Sequence, residues 1–162
     1  MQALGHLYAR HGAAVRSVAL RTDPASGPDV ADEICQETFL AFFETLHRYE
    51  HRGNLKSWLF GIAIKKARGR RRRWWHRLGI RERAGAEAAG VALGREDVDA
   101  RLDARARIDG LLRELPEAQR EVIVLVHVEG MSVQEAASVL GISENAASTR
   151  LYRARAALGR EP

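Results

Sequence analysis

Ser132-Val-Gln-Glu-Ala-Ala-Ser-Val-Leu-Gly-Ile-Ser-Glu-Asn-Ala-Ala-Ser-Thr-Arg-Leu-Tyr-Arg-Ala-Arg-Ala-Ala-Leu158 reads as two short helices meeting at a tight corner. Ser132 and Glu135 have the spacing of a capping box, in which each side chain satisfies an amide that the helix start leaves unpaired. Val133, Ala136, Ala137 and Leu140 then recur on one face, and Ala137 is small where a second helix must cross closely. Gly141 supplies the turn, since glycine takes a left-handed conformation without strain. Ile142 plugs the corner and Ser143 caps the next helix.

The second helix splits into two faces. Ala147, Leu151, Ala154 and Leu158, spaced four, three and four, point to a core. Asn145, Ser148, Thr149, Arg150, Tyr152, Arg153 and Arg155 are left outward. Laid in a major groove, such a helix offers an amide and hydroxyls to base edges and guanidinium groups to phosphates. A helical hairpin with a merely wet polar face is the bland alternative. The order of cap, small residue, glycine turn and second cap favours the DNA reading.

Working outward, Ile108, Leu111, Leu112 and Leu115 keep a helical period up to Pro116. The β-branched run over residues 122–128 resembles a strand, but no second such run exists to pair with it. Pro116-Glu117 opens it in the manner of a helix start. Residues 76–103 scatter Gly79, Gly85, Gly90 and Gly94 among Ala, Arg, Glu and Asp and read as a linker, partly helical near Val98–Asp103. In the first half, Leu7, Val15, Val18 and Ala19 mark one helix. The stretch Thr22-Asp-Pro-Ala-Ser-Gly-Pro-Asp29 is a loop. Ile34, Cys35, Thr38, Phe39, Phe42, Phe43 and Leu46 form an apolar stripe on a second helix, with Asp29 or Asp32 as its N-terminal acid. A third runs from about Leu55 to Arg73, with Leu55, Trp58, Leu59, Ile62 and Ala63 on one side. The chain is predicted to be all-α, two small helical domains joined by a flexible linker.

Seven of the nine residues from Lys65 to Arg73 are basic and cover every helix face, so an isolated helix would fray by self-repulsion. A phosphate backbone would relieve it through counterion release. Trp58, Phe60, Trp74 and Trp75 flank this run, and rings beside arginines are the materials of a single-strand site. Trp58 is expected in the core and Phe60 on the surface. Glu33, Glu37 and Glu44 fall within about 60° of one another around their helix, an acidic stripe that is either solvated or docks a basic partner.

Charge is unevenly spread along the 162 residues. Residues 1–81 carry fifteen basic and seven acidic groups, net +8, and residues 82–162 carry eleven and fourteen, net −3. Only three of the basic residues are lysine, and arginine's planar fork suits bidentate phosphate recognition. A polyanion is the expected partner of the first half. One cysteine, Cys35, excludes a disulfide framework and reads as a small core residue. His47 and His51 are spaced for one metal-binding helix face but lack a third ligand nearby, so no metal or cofactor is expected. No apolar run reaches the roughly 18 residues of a membrane span, and the N-terminus lacks the plan of a secretory signal. No nucleophile triad, phosphate loop or carboxylate pair suggests an enzyme.

With these residues in view, the sequence resembles bacterial sigma factors of the sigma-70 family, in the extracytoplasmic-function group. Asp32-Glu-Ile-Cys-Gln-Glu-Thr-Phe39 and Trp58-Leu-Phe-Gly-Ile-Ala63 resemble conserved region 2. Leu115-Pro-Glu-Ala-Gln-Arg-Glu-Val122, Gly130-Met-Ser-Val-Gln-Glu-Ala-Ala137 and Leu140-Gly-Ile-Ser143 resemble region 4. The resemblance implies a region 2-like domain over residues 1–75, a linker over 76–106 and a region 4-like domain over 107–162.

It also implies roles. Asp32, Glu33, Gln36, Glu37 and Glu44 would dock on the β′ clamp helices of core RNA polymerase, with the β flap a further contact. Tyr49, Arg52, Asn54, Lys56, Phe60, Lys65, Lys66, Arg68 and Arg72 would bind and help melt the −10 element, holding a flipped base. Asn145, Ser148, Thr149, Arg150, Tyr152 and Arg153 would read the −35 element. The sequence departs from the common pattern at Lys65, Gly69 and Ser148. The implied protein is a cytoplasmic, non-catalytic initiation factor whose partners are core RNA polymerase, promoter DNA and an anti-sigma factor. A stand-alone helix-turn-helix regulator is the competing reading.

Overall fold

Glycine, proline and polar caps set the breaks between helices. The computed structural model describes residues 2–49, 54–78 and 100–159, which form seven α-helices and no strand. The first two, α1 (Gln2–Thr22) and α2 (Gly27–Glu44), are separated only by a 3-10 turn at Pro24–Ser26. The loop expected over Thr22–Asp29 is therefore shorter. The Thr22 hydroxyl donates to the Val18 carbonyl at 2.7 Å and stays on α1. Gly27 enters α2 at φ 79°, which a Cβ would strain, and Pro28 gives up an N–H that the first turn would leave unpaired anyway.

Helix α2 buries Ala31, Ile34, Cys35, Thr38, Phe39 and Phe42 against Val15, Val18 and Ala19 of α1. Cys35 donates its thiol to the Gly12 carbonyl at 3.4 Å, and Tyr8 lies against Phe39 with ring centroids 5.0 Å apart. The expected apolar stripe ran on to Phe43 and Leu46, but both are exposed, as is Leu40. Phe43 stands about 100° round the axis from Phe42, past the edge of the face that α1 and α3 cover.

Asn54 caps α3 (Leu55–Arg77), its side-chain carbonyl accepting from Lys56 N at 3.0 Å. The buried face of α3 is Leu59, Phe60, Ala63, Ile64 and Ala67, rotated from the expected one. Phe60 is 0% exposed and Trp58 37%, the reverse of the expectation. The cause is a second neighbour. Besides α1 and α2, α3 packs on α6 (Val133–Leu140), and the crossing is close at Gly61, where an added Cβ would lie 3.7 Å from the Val139 carbonyl.

The second half comprises α4 (Ala100–Glu114), α5 (Glu117–Ile123), α6 and α7 (Glu144–Leu158). The β-branched run after Ile123 stays helical but widens into a π-helical turn at Val124–Val128, with Val122, Val124 and Leu125 fully buried. The corner of the quoted stretch forms as its residues dictate. Ser132 Oγ accepts from Glu135 N at 3.0 Å while Glu135 Oε2 accepts from Ser132 N at 2.8 Å. Gly141 sits at φ 66°, ψ 36°, and Ser143 Oγ accepts from Ala146 N at 3.1 Å.

The two halves pack on each other. α3 meets α6, and α1 meets α4, α5 and the π turn, so the buried side chains of both join in one hydrophobic cluster. The capping box and the glycine corner are local and measurable. Ser132→Ala and Gly141→Ala should each cost about 1 kcal/mol, read as lowered urea midpoints with helix content unchanged.

Candidate nucleic-acid interfaces and docking face

Burial of Ala147, Leu151 and Ala154 fixes how α7 is turned. It leaves Asn145, Ser148, Thr149, Tyr152 and Arg153 exposed and Arg150 half-buried, as the sequence predicts for a recognition helix. Tyr152 is 75% exposed. Arg155 is steadied by donating from Nε to His127 Nε2 at 3.0 Å. A shallow groove of about 440 Å³ lined by Pro116, Gln119, Tyr152, Arg153, Ala156 and Ala157 flanks the recognition face.

The candidates on and before α3 have a different fate. Of the aromatic ones, Tyr49 is half-buried and meets both Phe42 and Trp58 edge-on, with centroids 5.8 Å apart in each pair. Phe60 is buried, with Lys56 Nζ 5.4 Å from its ring centre, so it offers no face for a base to stack on in this arrangement. That corrects its expected exposure: α6 covers the side of α3 it occupies. Asn54 spends its side chain on the cap. Arg52, like His51, lies outside the described residues.

The basic run relieves much of its own repulsion inside the chain. Lys66 Nζ lies 3.4 Å from Glu37. Arg70 bonds Glu37 and, at 2.6 Å, Glu33. Arg68 holds Glu121 bidentately, at 2.8 Å from Nε and 2.5 Å from Nη2, and Arg71 bonds Glu117. Lys56 Nζ meets Glu129 at 3.1 Å. Among the described residues no carboxylate pairs with Lys65, Arg72 or Arg73, all exposed. The Glu121 side chain is only 3% exposed, and the bidentate geometry compensates its desolvation. The hydrogen bond to Glu121 pushes the Arg68 guanidinium up from its ordinary value, outweighing the opposing effect of burial.

The acidic stripe of α2 is thus partly spoken for. Glu33 and Glu37 face the cations of α3, and Asp32 bonds Arg16 of α1, while Gln36 and Glu44 stay exposed. Beside them lie Leu40 at 60% and Phe43 at 56% exposure, with Leu46 close by in the following turn. Sequence reasoning placed Phe43 and Leu46 in the core and passed over Leu40. The signal was there: the apolar arc on α2 is too wide for a single buried face. His47 is exposed, and the described residues hold no group of three or more metal-binding side chains. No described helix is long and apolar enough to cross a membrane.

An outward, capped recognition helix in one half and a cationic helix beside exposed rings in the other define a two-module DNA-binding protein. Residues 7–77 match the family described as Sigma-70 region 2, and residues 105–158 match Sigma-70, region 4. The chain is 39% identical over 165 residues to the RNA polymerase sigma factor CnrH of Cupriavidus metallidurans, covering 97% of this chain and 85% of that one. It is 34% identical over 130 residues to the ECF RNA polymerase sigma factor SigD of Mycobacterium tuberculosis, covering 76% of this chain and 59% of that one. Among solved structures, CnrH in complex with the cytosolic domain of CnrY is similar at TM-score 0.65 and 32% identity, over 98% of this chain and 86% of that one. The sigma factor RpoE in complex with the anti-sigma factor NepR, from Bartonella quintana, shares the fold at TM-score 0.76 and 23% identity, over 98% and 95%.

The chain belongs to the sigma-70 family of RNA polymerase sigma factors, in its extracytoplasmic-function group. The match of both halves, in order, sets aside the stand-alone regulator.

Glu33 and Glu37 of α2 are clamped to Lys66 and Arg70 of α3 by ion pairs. Hydrogen bonding from Arg70, against the opposing effect of burial, holds the Glu37 carboxyl below its usual range, helped by the charges of Arg70 and Lys66. A depressed folded value means stability that is present above the unfolded value of about 4.3 and lost as pH falls through the folded one. Wild type should therefore exceed Glu37→Gln in urea midpoint at pH 7, and the gap should shrink as pH falls below the unfolded value of about 4.3 and through the lower folded one.

Proposed function

We propose that this chain is the promoter-specificity subunit of RNA polymerase. It binds the core enzyme, positions it on −10 and −35 elements, and assists melting, with no catalytic group of its own and in the cytoplasm. The observation that carries this reading is the occurrence of both family regions, in order, on one chain. Tethering two weak DNA modules raises the effective concentration of each once the other is bound.

The −35 element is assigned to α7, with Ser148, Thr149, Tyr152 and Arg153 toward base edges and Arg150 toward phosphate. The exposure of this face supports that assignment. The −10 element is assigned to α3 and the residues before it: Tyr49, Arg52, Asn54, Lys56, Phe60, Lys65, Lys66, Arg68 and Arg72. Core docking, on the β′ clamp helices, is assigned to the outer face of α2. Its open part is Gln36, Leu40, Phe43 and Glu44, to which Asp32, Glu33 and Glu37 add charge that Arg16, Lys66 and Arg70 now partly neutralise. The region 4-like half is assigned the β flap. The relatives solved with NepR and with the cytosolic domain of CnrY support an anti-sigma partner for this chain too.

Run-off transcription with core enzyme and a promoter library tests the function; no promoter-specific transcript from any template would refute it. Docking is tested separately. Leu40→Ala with Phe43→Ala removes two exposed side chains and should leave the fold intact. It should lower core affinity by about tenfold or more if they are interface anchors, and undiminished affinity would overturn the docking assignment. Arg153→Ala should cut −35-dependent transcription several-fold while sparing core affinity.

A further inference from the structure

The apolar stripe of α3 outruns the bundle that covers it. Phe60, Ala63, Ile64 and Ala67 are buried, and at 100° per residue Trp74 and Leu78 fall within about 20° of Ala67 around the axis. Both continue the buried face, yet Trp74 is 53% exposed and Leu78 52%. Trp75, half-buried, meets Trp74 edge-on with ring centroids 4.8 Å apart and planes at 71°. Arg73 and Arg77 stand one turn apart along one side of this stripe. Arg70 and Arg71 are engaged with Glu37 and Glu117, whereas Arg72, Arg73 and Arg77 are exposed and pair with no carboxylate among the described residues.

We propose that Trp74 and Leu78, with Arg73 and Arg77 beside them, form a sequence-independent contact with the paired DNA that lies between the two promoter elements, next to the −10 element. The proposal rests on the assignment of α3 to promoter DNA and adds a site beyond the residues assigned there. Chain order places it. Tyr49, Arg52, Asn54 and Lys56 lie before or at the start of α3, and Trp74 stands about 27 Å of helix beyond Lys56. After α3 the chain leads on to α7, whose reading of a major groove requires duplex. DNA is thus opened at one end of the protein and paired at the other, and the C-terminal end of α3 faces the paired side.

The chemistry of the patch suits that partner. Guanidinium groups without an internal anion take phosphates and release counterions, and such contacts position a protein without reading sequence. An indole and a leucine at the same end supply apolar area for deoxyribose edges and the groove wall, the role apolar side chains play against duplex DNA elsewhere. Trp75 braces Trp74 edge-on, so its ring has little freedom left to lose on binding. A ring held at this boundary fixes the paired side while the −10 side opens.

The test uses the full chain bound to core enzyme and a promoter recovered by run-off transcription. Two templates are compared, one carrying both elements and one cut at the upstream edge of the −10 element. Trp74→Ala/Leu78→Ala should lower affinity for the full template about fivefold and leave affinity for the cut one unchanged. Trp74→Phe, which keeps a ring, should lose much less. Arg73→Gln/Arg77→Gln should flatten the slope of log affinity against log salt by about 2 on the full template only. Far-UV circular dichroism and urea midpoints check that the variants stay folded. Undiminished affinity for the full template, or an equal loss on both, would overturn the proposal. So would Trp74-dependent binding of the chain to anionic phospholipid vesicles with promoter affinity unchanged, which would give the stripe to lipid. Lys65→Ala/Arg72→Ala on the cut template tests the underlying assignment. If it weakens binding there while Trp74→Ala/Leu78→Ala is silent on the full template, α3 keeps the −10 element and only the new contact falls. If neither pair matters on either template, or no template is transcribed, the assignment of α3 falls and this contact with it.

Discussion

The Arg68–Glu121 pair is the constraint around which the two halves are arranged. A carboxylate buried to this degree needs its charge met by a partner of good geometry, because its desolvation is costly and only a bidentate guanidinium recovers most of it. Arg68 meets that need from α3, and in doing so sets where α5 lies against the first half. Val122, Val124 and Leu125, next along the chain, are then fully buried, and α6 crosses α3 at Gly61. The weaker pairs at Lys56, Arg71 and Arg21 follow the same polarity and hold the edges.

This arrangement gives the charge asymmetry of the chain a second meaning. A first half of net +8 and a second of net −3 suggest a polyanion for the former. Before any polyanion arrives, acids of the second half satisfy part of that demand. The same cations thus already have carboxylate partners in the covalently linked half. Arg68 has the most to exchange, since its present partner is nearly inaccessible to water. Among the described residues, Lys65, Arg72 and Arg73 pair with no carboxylate and are exposed.

Local features were the legible part. The capping box at Ser132, the left-handed Gly141, the Ser143 cap and the inward set Ala147, Leu151 and Ala154 depend on neighbours within a few residues. They were readable for that reason. The outward face of α7 follows once its inward face is fixed. By contrast, Trp58 and Phe60 exchanged roles, and Phe43 and Leu46 left the core for the surface. Periodicity gives the width of an apolar arc but not which elements come to cover each part of it. On α3 a second neighbour from far along the chain turned the buried face toward Phe60. On α2 part of the arc is left uncovered, giving an exposed apolar patch beside Gln36 and Glu44.

The sequence by itself determined the helices, the corner and the family, because caps, turns and 3.6-residue spacing act over a few bonds and both motif sets stand in order. The pairing of those helices was decided only by tertiary structure. Whether a glutamate at 121 faces water or an arginine 53 residues away depends on loop closure and shared burial, which no local pattern encodes. What the tertiary structure added is that the helix richest in arginine already has an anionic partner, and that the partner is the other half of the same chain.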